Sequence, residues 1–156
     1  MSRQVSGPLE TIGIGLHYED LNVGMRFKTA ARTITETDLV NFVNLTWLNE
    51  ELFTNVEREG AAISGRVVPG ALVYSFAEGL YGPAMNFTGL AFLNAELDVK
   101  GPTFVGDTIH VEIEVTELRL TSKGDRGLAR TVNQVLKQDG SAVLTYNPLR
   151  MVKRRA

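Results

Sequence analysis

The sequence holds no cysteine. That excludes disulfides, thiolate nucleophiles and cysteine-based metal sites, and it is compatible with a cytoplasmic protein. Histidine is nearly as scarce, with only His17 and His110 in 156 residues. No apolar run approaches the roughly 18 residues of a membrane span. The first residues, "MSRQVSGPLETIGIG", lack the apolar core of an export signal and read as an irregular arm. Charge of one sign is missing too. The formal net charge is −2, so the chain has no electrostatic case for nucleic acid. A basic tail, "MVKRRA", reads as a solvated terminus.

What is present suits a compact fold. Hydrophobic residues make up 44% of the chain, enough for a sizeable core. We read residues 1–17 as the arm and 18–156 as a single domain. "LHYEDLNVGMRF" is turn-rich, and Phe27 to Ile34 has the pattern of a strand. "TETDLVNFVNLTW" predicts a helix capped by Thr35, with Asp38 as a variant of the capping box. Residues 55–64 are polar and read as irregular. "GRVVPGALVYSFAEGLYG" predicts the main helix. Pro69 suits its first turn, Leu72, Val73, Phe76 and Leu80 form an apolar stripe, and Gly82-Pro83 is expected to stop it. From Pro69 to Leu80 only Glu78 is charged, so other structure should wrap the helix.

The remainder alternates with a period of two. "LAFLNAELDV", "TIHVEIEVTEL", "LARTVNQVLK" and "AVLTYNPLRMV" read as consecutive strands. Ile109, Val111, Ile113 and Val115 alternate with His110, Glu112 and Glu114, so one face packs and the other is wet. "QDGS" marks a hairpin, and Pro148 an edge or a bulge. The fold class is therefore α+β, an antiparallel sheet curling round a long central helix.

Two segments, "GRVVPGALVYSFAEGLYG" and "LDVKGPTFVGDTIHVEIEVTEL", resemble the MaoC-like dehydratases, which include the (R)-specific enoyl-CoA hydratases. The resemblance runs from about Tyr18 to Lys153. It implies a hot-dog fold, a homodimer or higher oligomer, and the gain or loss of water across the 2,3-bond of an acyl thioester. The ligand it implies is an acyl-CoA or acyl-carrier thioester, with no cofactor, no metal, no nucleic acid and no membrane.

Such chemistry needs a base for water, an acid for carbon, and donors for a thioester oxygen that becomes enolate-like. In the family an Asp and a His five residues apart move the protons, in a pattern like "GDxNPxH". The stretch "TWLNEELF" takes that place here. Trp47 stands at the glycine, Leu48 at the Asp, Glu50 at the Asn, Glu51 at the Pro and Phe53 at the His. Leu and Phe transfer no protons. Gly70 matches the glycine that heads the family's helix, where its N–H serves as oxyanion donor. Ser75 matches a serine of the catalytic network.

Each candidate carries two readings. Glu50 is a substitute acid and base if a cleft raises its pKa, or a solvated loop carboxylate. Asn49 lies within a residue of the Asp position. Trp47, Leu48 and Phe53 line an acyl pocket or simply pack. Arg66 reaches a phosphate or makes a structural ion pair at its turn. Ser75 supports the network or bonds to backbone. His110 falls on the wet face of its strand, and His17 outside the catalytic segment. Three functions follow: a hydratase or dehydratase with a non-standard catalytic set, a non-catalytic subunit paired with a second hot-dog chain that keeps the Asp and His, or a hot-dog thioesterase.

Overall fold

A computed structural model describes residues 2–156. After the arm comes a short 3₁₀ turn, Tyr18–Asp20. Strands β1 (Arg26–Lys28) and β2 (Arg32–Thr33) follow, then helices α1 (Glu36–Thr46), α2 (Glu51–Thr54) and α3 (Gly70–Met85). Six strands complete the chain: β3 (Gly89–Asn94), β4 (Leu97–Val99), β5 (Thr108–Leu120), β6 (Arg126–Lys137), β7 (Ala142–Tyr146) and β8 (Leu149–Lys153).

All eight strands share one antiparallel sheet. Its main path runs β1-β5-β6-β7-β4, β2 also pairs with β5, and β8 bridges β6 to β3. β6 is long enough to take both late strands. Its first half pairs with β8 and its second half with β7. The sheet curls over α3, which buries Leu72, Val73, Ala77 and Tyr81 against it. On β5, Ile109, Val111, Ile113 and Val115 are buried, in the alternation expected of a one-faced strand.

Several expectations needed correction. α3 does not stop at Gly82-Pro83 but continues to Met85 with Pro83 inside. Proline removes one N–H near the end of a helix. Burial of Tyr81 and the packing of Ala84 and Met85 on the core hold the last turn. The strand expected over Phe27 to Ile34 is two short strands that both pair with β5. "LAFLNAELDV" breaks at Ala95-Glu96 into β3 and β4, and the last strand breaks at Asn147-Pro148. Pro148 is fully buried there, and its carbonyl accepts from the Thr131 N–H at 3.2 Å. The basic tail is tied down: Arg154 Nε donates to Glu19 Oε1 at 2.9 Å and Arg155 Nη2 to Asp20 Oδ1 at 2.7 Å. The Arg155 backbone N–H first, then the Arg154 guanidinium, lower the Glu19 pKa to about 2.

Candidate functional site

The site begins with how α1 ends. Thr35 and Asp38 cap its start reciprocally, as the sequence implied. Trp47 then closes it in the left-handed conformation, with φ 62°. That region favours glycine, so tryptophan is strained there. Trp47 is 85% exposed. Leu48 folds back to pack on the core, and α2 carries Phe53 inward to 8% exposure.

A second wall comes from the segment before α3. Arg66 donates from Nε to both oxygens of Glu36, at 3.1 and 3.0 Å, and from Nη1 to the Phe53 carbonyl. Hydrogen bonds from Arg66 hold the Glu36 carboxyl below its ordinary pKa, against a smaller effect of burial. Arg66 thus fastens α1, α2 and the turn together. Its guanidinium is committed to structure rather than free for a phosphate. The irregular stretch 55–65 is pinned likewise: Arg58 donates to the carbonyls of Asn55, Gly65 and Ile63.

Between these walls and the sheet lies a cavity of about 330 Å³. Leu52, Phe53, Ile63, Val67, Val68 and Val73 line one side. Val99, Val143 and Leu144 line the sheet side, and Lys100 and Thr103 supply its side-chain polar groups. Gly70 stands at the head of α3 and also borders the cavity. The N–H groups of Leu72 and Val73 both turn to the Pro69 carbonyl, at 3.0 and 3.3 Å. Those of Gly70 and Ala71 are left outside the helical ladder, at the positive end of a 16-residue helix. A Cβ at Gly70 would sit 3.3 Å from Val99 Cγ2, inside the cavity. The glycine keeps this end of the helix open to a ligand.

Thr103 was not singled out from the sequence. It is 2% exposed, and its hydroxyl has no hydrogen-bond partner. A buried hydroxyl without a partner is destabilising, and this one borders the same cavity as the Gly70 N–H. Nothing in "KGPTFVGD" marks it, because its isolation appears only once β4, β7 and α3 close around it.

The other candidates lie elsewhere. Glu50 is exposed at the N-cap of α2 and contributes its carbonyl to the Phe53 N–H at 2.9 Å. Glu51 is exposed and accepts from Asn55 Nδ2 at 2.8 Å. Asn49 is exposed. Ser75 lies on the open face of α3, its hydroxyl donating to the Ala71 carbonyl at 2.8 Å. Of the eight candidates, only Phe53 and Gly70 border the cavity. His110 stands 3.5 Å from Glu112 on β5, and His17 lies 3.8 Å from Asp20.

No family model matches the chain. It is 34% identical over 79 residues to an (R)-specific enoyl-CoA hydratase of Aeromonas caviae, a stretch covering 51% of this chain and 56% of that protein. It is 27% identical over 125 residues to a mitochondrial 3-hydroxyacyl-[acyl-carrier-protein] dehydratase of Solanum lycopersicum, covering 80% of this chain and 73% of that one. Its fold matches the solved MaoC-like dehydratase of Rhodospirillum rubrum with a TM-score of 0.81, at 23% identity, over 91% of this chain and 99% of that one. These similarities to (R)-specific enoyl-CoA hydratases and MaoC-like dehydratases are to proteins of one fold. The chain has the hot-dog fold, with α3 at its centre. With the Aeromonas protein the aligned stretch spans little more than half of the relative's length.

Proposed function

We propose that this chain binds an acyl thioester in the cavity at the head of α3, as part of a MaoC-like hydratase or dehydratase. The observation that carries the proposal is Gly70 at the head of α3, its N–H outside the helical ladder, bordering an apolar space of about 330 Å³. A thioester oxygen placed at Gly70 gains the helix end as its charge grows, which is where an enoyl hydratase needs help. The apolar walls take the acyl carbons. Lys100 is the cationic side chain that borders the cavity, and Asp98 holds it at 2.5 Å. Either coenzyme A or a carrier protein fits this arrangement.

Proton transfer is the open half of the chemistry. Phe53 fills the cavity wall at the position of the family's histidine, and the cavity side chains include no carboxylate and no imidazole. This favours a second reading, in which the chain is the acyl-binding partner of another hot-dog chain that keeps the Asp and His. The edge for such pairing is present. β3 is exposed along its whole length, and Leu90, Phe92, Leu93 and Leu97 stand 44–46% exposed on β3 and β4. An apolar edge strand of this kind pairs with another chain, either a second copy or a partner.

The deciding experiment is hydration of crotonyl-CoA by the purified chain, followed by loss of enoyl absorbance, with Glu50→Gln alongside. Turnover that falls on the order of 10²-fold in the variant makes Glu50 the working acid and base. Turnover that survives discards Glu50. Binding of an acyl-CoA without turnover supports the partner reading, and no binding at all refutes both.

A further inference from the structure

A separate cleft opens on the far half of α3. The arm, the β1–β2 connection and α3 enclose a space of about 490 Å³, within the usual range of a small-molecule site. It shares no lining residue with the cavity at Gly70. Tyr81, which lines it, is eleven residues beyond Gly70, about 16 Å along the helix axis. The arm is fastened to form one wall. The Gly15 N–H donates to the Asn86 carbonyl, the Leu16 N–H to the Ala84 carbonyl and Asn86 Nδ2 to the Gly13 carbonyl, each at 2.8 Å. A Cβ at Gly15 would collide with the Ala84 carbonyl, so glycine is what lets the two backbones come this close.

The walls are apolar. Ile14 and Leu16 come from the arm, Phe27 from β1, and Leu80, Pro83 and Ala84 from α3. Ile14 is 50% exposed, so part of this surface stands uncovered. Thr29 is committed elsewhere: its hydroxyl donates to the Ala30 carbonyl at 2.8 Å and accepts from the Val111 N–H at 3.0 Å. Phe27 packs inward on the core, so its neighbour Lys28 points to the opposite face of the sheet, in register with Glu112. Tyr81 differs. It is 5% exposed, its ring stacked on Phe27 at a centroid distance of 6.1 Å, with the Arg150 guanidinium 4.5 Å from the ring centre. No hydrogen bond acts on its hydroxyl. Burial raises its pKa, against a smaller opposite effect of Arg150, so it stays a phenol with a proton to donate. A buried donor without an acceptor is destabilising. Packing does not explain it, because phenylalanine would stack in the same way.

We propose that this cleft is a second binding site, which takes a neutral aliphatic molecule bearing one oxygen acceptor for the Tyr81 hydroxyl. A plain hydrocarbon would leave the phenol unpaired. Lys28 is the ionic residue that borders the cleft, and it is turned away, so a charged head would be desolvated without a counter-ion. A ketone or ester oxygen satisfies the phenol, and its alkyl chain covers the apolar walls. The inference stands apart from the acyl-thioester reading above.

The test titrates 2-heptanone and heptanoate into the isotope-labelled full chain and follows amide chemical shifts. The ketone should shift the amides of Gly15, Leu16, Tyr81 and Ala84 saturably and leave those of Gly70 and Thr103 in place. Heptanoate should bind about tenfold more weakly or worse, because its charge meets no cation. Tyr81→Phe keeps the ring and removes the donor. It should weaken the ketone about three- to tenfold, and raise the Tm of the free chain, which no longer buries an unpaired hydroxyl. Ile14→Asn places an amide on the apolar wall at a half-exposed position. It should also weaken the ketone, and it decides the matter should Tyr81→Phe not fold. Unchanged ketone affinity in either folded variant overturns the inference. So does heptanoate binding tighter than the ketone, a ketone response confined to the Gly70 cavity, or the absence of any saturable shift.

Discussion

Replacing Thr103 by valine should make the protein more stable and a poorer binder. The side chain is 2% exposed, and its hydroxyl finds no partner. Leaving such a group unpaired costs about 1–3 kcal/mol, which a valine of nearly the same shape recovers. For a chain of this size each kcal/mol moves Tm by about 2–4 °C, so calorimetry should show a rise of about 2–12 °C. Binding should move the other way. A neutral hydrogen bond from Thr103 to the thioester contributes about 0.5–1.5 kcal/mol, and its loss weakens acyl-CoA binding roughly two- to tenfold. Thr103→Ser is the control. It keeps the hydroxyl, gives up about 0.8 kcal/mol of methyl burial, and should bind as the original does. A Thr103→Val protein with unchanged or lower Tm and unchanged binding would refute the reasoning, because the hydroxyl would then be neither a burden nor a contact.

Leu48→Asp with Phe53→His should raise crotonyl-CoA hydration on the order of 10²-fold or more, while loss of the buried ring lowers stability by about 1.5–3 kcal/mol. A folded double variant with no gain points to a site rebuilt elsewhere. Trp47→Gly should stabilise the chain by about 0.5–1 kcal/mol, since the left-handed φ of 62° burdens tryptophan and the exposed ring gives up little packing; chemical denaturation measures it. Stability should fade in acid as Asp107 titrates. Burial alone would raise its pKa, but Gln138 Nε2 at 2.9 Å, the Phe104 N–H at 2.8 Å and Lys137 at 3.0 Å together bring it below the usual value. A carboxyl depressed in the folded state stabilises fully above its unfolded pKa of about 3.9, and that contribution is lost as pH falls through the folded value. Asp107→Asn should therefore flatten the acid limb of a Tm-against-pH curve.

The frame was legible because it depends on local patterns. The alternation Ile109, Val111, Ile113, Val115 names the buried face of β5, and Thr35 with Asp38 names the start of α1. Gly70 behind Pro69 marks the head of the central helix. Strand breaks were less visible, since Ala95-Glu96 interrupts a run whose residues all suit a strand. The site was legible only in part. Phe53 and Gly70 border the cavity, whereas Glu50 and Trp47 point to solvent, and sequence spacing says nothing of direction once a helix ends in a left-handed turn. Thr103 and Tyr81 carry no local signal. What marks them is a missing partner, which exists only after residues distant in sequence have met.

Arg58 gives one part of the cavity a different mechanical character. The sheet and α3 are fixed by many residues, but the 55–65 segment is gathered by one guanidinium on three carbonyls. Ile63, whose carbonyl is one of the three, borders the cavity. Arg58 and Asn55 supply most of the hydrogen bonds there, and local opening requires the loss of few contacts. The cost of ligand passage is thus set apart from the cost of ligand contact. Association and dissociation rates can shift together through Arg58 while the affinity written into α3 and the sheet stays constant.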